Sequence, residues 1–239
     1  MKTKSLALLL IISAFFGISA MAQTVKETRE VGSFRKISAG SAIDVYFAQS
    51  DSKSLRVEAE NVDLKEIITK IEGETLVIKR ESQKISWNLK KKKQVVKVYV
   101  SAPTLEEISI SGASDFYADD LKSSKSFKIS ASGASDIHIG NLTVAETTGI
   151  SSSGGADCNI KNLKTSNCSL SSSGGSDLNI GLEVSDNLSV STSGGSDVKL
   201  SGKANQVSVS VSGGSDIYIK DLTYNQLDSK KSGGSDIHI

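Results

Sequence analysis

One short phrase is written seven times in this chain, and that repetition limits the possible folds more than any other feature. Its clearest copies are Ser193-Gly194-Gly195-Ser196-Asp197 and Ser212-Gly213-Gly214-Ser215-Asp216. The first glycine of each copy is Gly112, Gly133, Gly154, Gly174, Gly194, Gly213 or Gly233, at steps of 21, 21, 20, 20, 19 and 20 residues. An aspartate stands three residues after each glycine: Asp115, Asp136, Asp157, Asp177, Asp197, Asp216 and Asp236. Self-similarity at a fixed period near 20 is the mark of a solenoid.

The flanks of the phrase say how each unit is built. With the first glycine as position zero, −6 and −4 are mostly apolar, as in Phe127 and Ile129, Leu188 and Val190, or Val207 and Val209. Positions +4 and +6 are apolar too, as in Ile137 and Ile139, Leu178 and Ile180, or Ile217 and Ile219. Leu121, Leu142, Leu163 and Leu222 add an apolar point at +9. Period-2 alternation then points −6, −4, +4 and +6 inward and −5, −3, +3 and +5 outward. Strand, corner, strand also describes a hairpin, but a constant period lets each coil stack in register on the next, about 4.8 Å away. Identical residues then form columns. The expected fold is all-β: a single right-handed parallel β-helix of about 20 residues per coil, with less regular N-terminal coils.

Each residue of the phrase has a structural reason to be there. Glycine at zero allows a positive φ at the corner, where a Cβ would be penalised. Position +1 is Gly in five copies and Ala at Ala113 and Ala134, so a small residue suffices. The aspartate is expected to form an Asx-type turn with nearby backbone N–H groups, and the serine at −1 to bond from coil to coil. Calcium is the first alternative for an aspartate column. A calcium site needs 6–8 converging oxygens, and the nonapeptide spacing of calcium-binding repeats is absent. No cofactor or metal ligand set is therefore assigned.

Catalysis is the second alternative. It would need a clustered acid–base or nucleophile–base pair, and the acidic residues instead recur singly, one per coil. The two histidines, His138 and His238, share the outward +5 column with Tyr117, Asn159, Asn179, Lys199 and Tyr218. They stand five coils apart and cannot cooperate within one chain. This column is the candidate binding surface, together with the serine-rich −3 and −5 columns. No catalytic residue is assigned. A polysaccharide lyase or hydrolase is the competing reading, and a groove with converging charges would favour it. A self-associating structural protein is a third, through an open C-terminal coil.

Residues 1–22 read as a secretory signal peptide. Lys2 and Lys4 precede an apolar run from Leu6 to Ile18, and Ala20-Met21-Ala22 is an A-x-A cleavage site. No membrane span is expected. Periplasm, cell surface and medium all fit an exported chain. Without the two signal-peptide lysines, 26 basic residues face 27 acidic ones, a net charge of −1. So near-neutral a chain offers nothing general to nucleic acid. A glycan or a protein is the expected partner.

Residues 23–104 show strand patterns without a clean repeat, and residues 105–239 carry the seven units. Ala39-Gly40-Ser41-Ala42-Ile43-Asp44 reads as a worn copy of the phrase with one residue inserted. Val62–Ile68 reads as a short helical turn or loop. Lys90-Lys91-Lys92-Lys93 is a solvated, charged connection or a patch for anions, and nearby Trp87 packs on the sheet. Cys158 and Cys168 fall on apolar columns. They read as two core thiols, with a disulfide as the alternative in an oxidising compartment.

Several of these stretches resemble a known family. They are the signal peptide, Phe34-Arg35-Lys36-Ile37, the lead-in Val98-Tyr99-Val100-Ser101-Ala102-Pro103-Thr104-Leu105, and Ile108-Ser109-Ile110-Ser111-Gly112-Ala113-Ser114-Asp115. Together they resemble the putative auto-transporter adhesin, head GIN domain family, common among exported proteins of Bacteroidetes. The resemblance runs from about Val31 to Ile239. It implies a pectin-lyase-like β-helix, no identifiable catalytic residues and a role in adhesion.

Overall fold

Parallel pairing joins the repeats in the computed structural model, which describes residues 24–81 and 93–239. Residues 1–22, read as the signal peptide, and Trp87 and Lys90 to Lys92 lie outside the described residues. The first strands are β1 (Thr24–Thr28), β2 (Lys36–Ala39), β3 (Asp44–Gln49), β4 (Ser54–Glu60), β5 (Ile67–Glu72), β6 (Thr75–Arg80) and β7 (Val95–Ala102). The repeats supply β8 (Glu107–Gly112), β9 (Phe116–Ser123), β10 (Phe127–Gly133), β11 (Asp136–Val144) and β12 (Thr147–Gly154). Then β13 (Asp157–Gly174), β14 (Leu178–Gly194), β15 (Asp197–Val211) and β16 (Asp216–Lys231) run between corners without a break, and β17 (Asp236–His238) follows.

The stacked coils form a β-solenoid of about 7 turns. Equivalent residues pair along it: Ile129 with Ile150, Ile150 with Leu170, Leu170 with Val190, Val190 with Val209. The strand before each glycine builds a serine face, and the strand after each aspartate builds an aspartate face. The alternation is as expected from period 2. Ile137, Ile139, Leu178, Ile180, Val207 and Val209 are buried, and their neighbours point to solvent. The core is one continuous interior running from Phe34 to Leu222. Each fully buried Ile or Leu along it contributes about 1.5–3 kcal/mol.

A second bend appears where the alternation breaks at two successive exposed residues, as at Asp119-Asp120 and Lys161-Asn162. Beyond it a short third side turns Leu121, Leu142 and Leu163 inward. The unequal coil lengths are absorbed around this side. Register shifts fall between Ile160 and Leu163, Thr165 and Asn167, and Val184 and Asn187.

The corner geometry is repeated closely. All seven motif glycines have φ between +75° and +86°. At Gly194 a Cβ would stand 2.8 Å from the Gly174 carbonyl oxygen and 2.9 Å from its nitrogen. Glycine is thus required twice there, by dihedral and by the stack. At Gly195 the same test finds only an ordinary 3.8 Å contact, which is why alanine serves at Ala113 and Ala134. The backbone N–H of Gly195 donates to the Gly174 carbonyl at 2.7 Å, and Ala134 does the same to Gly112 at 2.8 Å.

Two details differ from the reading of the phrase. The corner is held by the buried serine at +2 more than by the one at −1. The Ser135, Ser176, Ser196 and Ser235 hydroxyls each donate to the carbonyl of their own −1 serine at 2.9 Å. The worn copy contains no insertion. Ala39 pairs with Ile110, and Val45 with Phe116. Ser41 therefore occupies the glycine place and holds φ +71°, with Ala42 at φ +59°.

The N-terminal coils are stacked out of chain order. β2 and β3 lie directly against β8 and β9, while β6 and β7 pack outside them. Antiparallel strands then finish this end: β5 pairs with β6, β4 with β7, and β1 with β4. The turn within Val62–Ile68 is a 3-10 turn at Leu64–Glu66, capped by Asp63, whose Oδ1 accepts from the Lys65 N–H at 3.0 Å. Arg29 ties the two faces together here, donating to the carbonyls of Leu64 at 2.8 Å and Ile67 at 2.6 Å. Cys158 and Cys168 are free thiols inside the core. Burial pushes both up to about 12.

Candidate functional site

Two outward columns run side by side along the aspartate face. In the +3 column the seven motif aspartates stack, and Asp44 joins them next to Asp115. Their carboxylates do not make local Asx turns. Asp115, Asp157, Asp177 and Asp216 each accept from the backbone N–H of the aspartate one coil on, at 3.0–3.1 Å. The physical reason is the stack. With a neighbour's N–H about 4.8 Å along the axis, the carboxylate reaches across coils rather than along its own chain. Burial, then the charge of neighbouring Asp115, pushes the Asp136 carboxyl above the usual carboxylate range. The same two causes raise Asp44, against an opposing pull from Lys97 and Lys93.

In the +5 column the structure brings all seven of the candidate surface residues into one ladder. Tyr117 pairs with His138, His138 with Asn159, Asn159 with Asn179, Asn179 with Lys199, Lys199 with Tyr218, and Tyr218 with His238. His138 and His238 stand five coils apart along it, as their spacing requires. The ladder is longer than the repeats alone indicate. Tyr46 stacks on Tyr117 at 4.9 Å between ring centroids, and Tyr99 stacks on Tyr46 at 5.0 Å. Tyr117 continues onto His138 at 5.1 Å. The Arg56 guanidinium closes the row, 4.5 Å over the Tyr99 ring. A second pair, Tyr218 and His238, stacks at 4.4 Å. The Tyr117 hydroxyl donates to Asp115 Oδ2 at 3.2 Å, and burial followed by that carboxylate pushes its pKa to about 12.

Tyr46 was findable from the sequence, since Asp44-Val45-Tyr46 matches Asp115-Phe116-Tyr117. Tyr99 was not, because no phrase precedes it. Only the pairing of β7 with β3 places it in the column.

Two concavities flank this end. One is a cleft of about 570 Å3 bordered by Asp44, Glu58, Glu60, Lys93 and Lys97. The other is an open trough of about 520 Å3 beside Tyr46, Tyr99 and Tyr117. No group of three or more His, Cys, Asp or Glu arranged to hold a metal ion occurs among the described residues. No helix there is long and apolar enough to cross a membrane.

The family model described as putative auto-transporter adhesin, head GIN domain matches residues 33–148 and 141–239. The chain belongs to this family. Solved structures share the fold of this head GIN domain chain. A putative adhesin of Bacteroides fragilis is 20% identical at a TM-score of 0.73, covering 91% of this chain and 97% of its own. A putative adhesin of Parabacteroides distasonis is 15% identical at a TM-score of 0.68, covering 91% and 98%. A putative lipid binding protein of the same organism is 14% identical at 0.58, covering 90% and 93%. No curated protein matches the sequence.

Proposed function

We propose that this member of the head GIN domain family is an exported, non-enzymatic binding module of the bacterial cell envelope, and that the +5 ladder is its contact surface. One observation carries the reading. Side chains that are free to vary at an outward position stack into a continuous strip of rings, amides and cations along the aspartate face. A strip of that kind suits an extended partner, met at many equivalent points, better than a small molecule in a pocket. The family name and the neighbours called putative adhesins agree with it. Export rests on the signal peptide read in residues 1–22.

The test is an array of glycans and extracellular-matrix proteins probed with the mature chain on beads. Specific capture is expected, weakened at least tenfold by Tyr117→Ala combined with His138→Ala. Absence of any specific capture, or capture indifferent to the double variant, would sink the proposal. The competing lyase or hydrolase reading has a foothold in the cleft, where Asp44 and Lys97 sit opposite each other on paired strands. Depolymerisation of any polysaccharide on the array, abolished by Asp44→Asn or Lys97→Met, would replace binding with catalysis.

A further inference from the structure

The tyrosine end of the ladder is built differently from the rest. Tyr99, Tyr46 and Tyr117 form one wall of the open trough, whose floor carries Ala48 and Ser101 from the next outward column, with Asp119 beside them. We propose that this trough binds a linear, uncharged glycan laid parallel to the solenoid axis. The inference rests on the binding reading above and supplies its ligand class.

The spacing is the first reason. Ring centroids 4.9–5.0 Å apart, at interplanar angles of 13–18°, follow the rise from coil to coil. That rise is close to the length of one sugar ring in an extended glycan, so successive sugars meet successive tyrosines. The polar groups are the second. The Tyr117 hydroxyl is committed to Asp115, whereas no such bond occupies the Tyr46 and Tyr99 hydroxyls among the described residues. Two phenols and the exposed Asp119 carboxylate can exchange hydrogen bonds with sugar hydroxyls, while the ring edges left open by the stack and Ala48 meet the apolar C–H surface.

Charge is the third reason. The trough lining holds one carboxylate and no cation. The nearest cations lie outside that lining: Arg56 is held over Tyr99 and paired with Glu58 at 3.2 Å, and the Lys97 ammonium, 5.7 Å from the Tyr46 ring centroid, belongs to the residue paired with Asp44. A phosphate, sulfate or uronate in the trough would meet the Asp119 carboxylate with no cation in the lining to offset it, and a neutral polyol would not. Stacking also holds the rings in place before a ligand arrives, so little side-chain freedom is lost on binding.

The experiment is calorimetric titration of the mature chain with hexamers of β-1,4-linked glucose, mannose and xylose. Hexagalacturonate and phosphatidylcholine vesicles serve as charged and lipid comparators. At least one neutral hexamer is expected to bind, at least tenfold tighter than its free monosaccharide. Ala48→Lys fills the floor from an exposed position without touching the stack, and should weaken binding at least tenfold at an unchanged melting temperature. Tyr99→Phe keeps the ring, loses the hydroxyl, and should weaken binding about threefold to tenfold. Tighter binding of hexagalacturonate or vesicles, no binding by any neutral hexamer, or binding that survives Ala48→Lys overturns the proposal. Array capture that coincides with failure here leaves the binding module standing and removes only the glycan trough. Failure on both removes both.

Discussion

At the scale of single residues, the corner shows how a stack makes one atom decisive. Gly194 and Gly195 are neighbours of the same type with opposite tolerances. Gly194 holds φ +86° with Gly174 backbone where a Cβ would go, and Gly195 does not. Gly194→Val should therefore destabilise the chain by about 3 kcal/mol or more, combining a forbidden dihedral for a β-branched residue with a backbone clash. Gly195→Ala should stay within about 0.5 kcal/mol of the parent. Urea unfolding of the two variants side by side checks both, and equal stabilities would refute the assignment. The worn corner shows the same rule being bent. Ser41 accepts the left-handed conformation without being glycine, and it does so at the first coil, where fewer copies constrain it.

At the scale of an element, the aspartate column is both glue and strain. Each bond from a carboxylate to the next coil's N–H helps hold successive strands in register, yet neighbouring carboxylates repel. Asp136 shows the balance, its carboxyl raised by burial and by Asp115. A folded-state pKa above the unfolded one gives stability that is complete below the unfolded value and lost as pH rises through the folded one. Asp136→Asn mimics the protonated form. It should melt about 1–3 °C higher than the parent at pH 7, with the difference vanishing near pH 3. Thermal melts across that range test the sign, and a variant less stable at pH 7 would reverse it. The tyrosine row belongs to the same scale. Its rings come from β7, β3 and β9, and its continuity depends on those three strands lying side by side.

At the scale of the whole molecule, stability is nearest-neighbour: each coil is held by the one before and after it. The two thiols report on that interior. Cys158 faces Ile137 and Leu178, and Cys168 faces Thr148 and Leu188, so reagent reaches neither until coils separate. With both thiols pushed up to about 12 by burial, iodoacetamide should label neither in the native state. Labelling should then appear at the rate of unfolding, and dithiothreitol should leave the melting temperature unchanged. Rapid native labelling, or a melting temperature lowered by reductant, would contradict the packing.

The sequence by itself determined the coils, because identical phrases stacked in register satisfy one another and local alternation says which side chains go inside. Seven glycines, seven aspartates and the outward column from Tyr117 to His238 can all be read from spacing alone. Tertiary structure decided the rest. No repeat in the sequence says that β6 and β7 should stack outside β2 and β3, or that β1, β4 and β5 should turn antiparallel. Those pairings depend on which strand edges are left open once the regular coils have formed, a choice made across tens of residues. The row of tyrosines follows from it. Tyr46 lies 53 residues before Tyr99 and 71 before Tyr117, and only that strand order sets it between them.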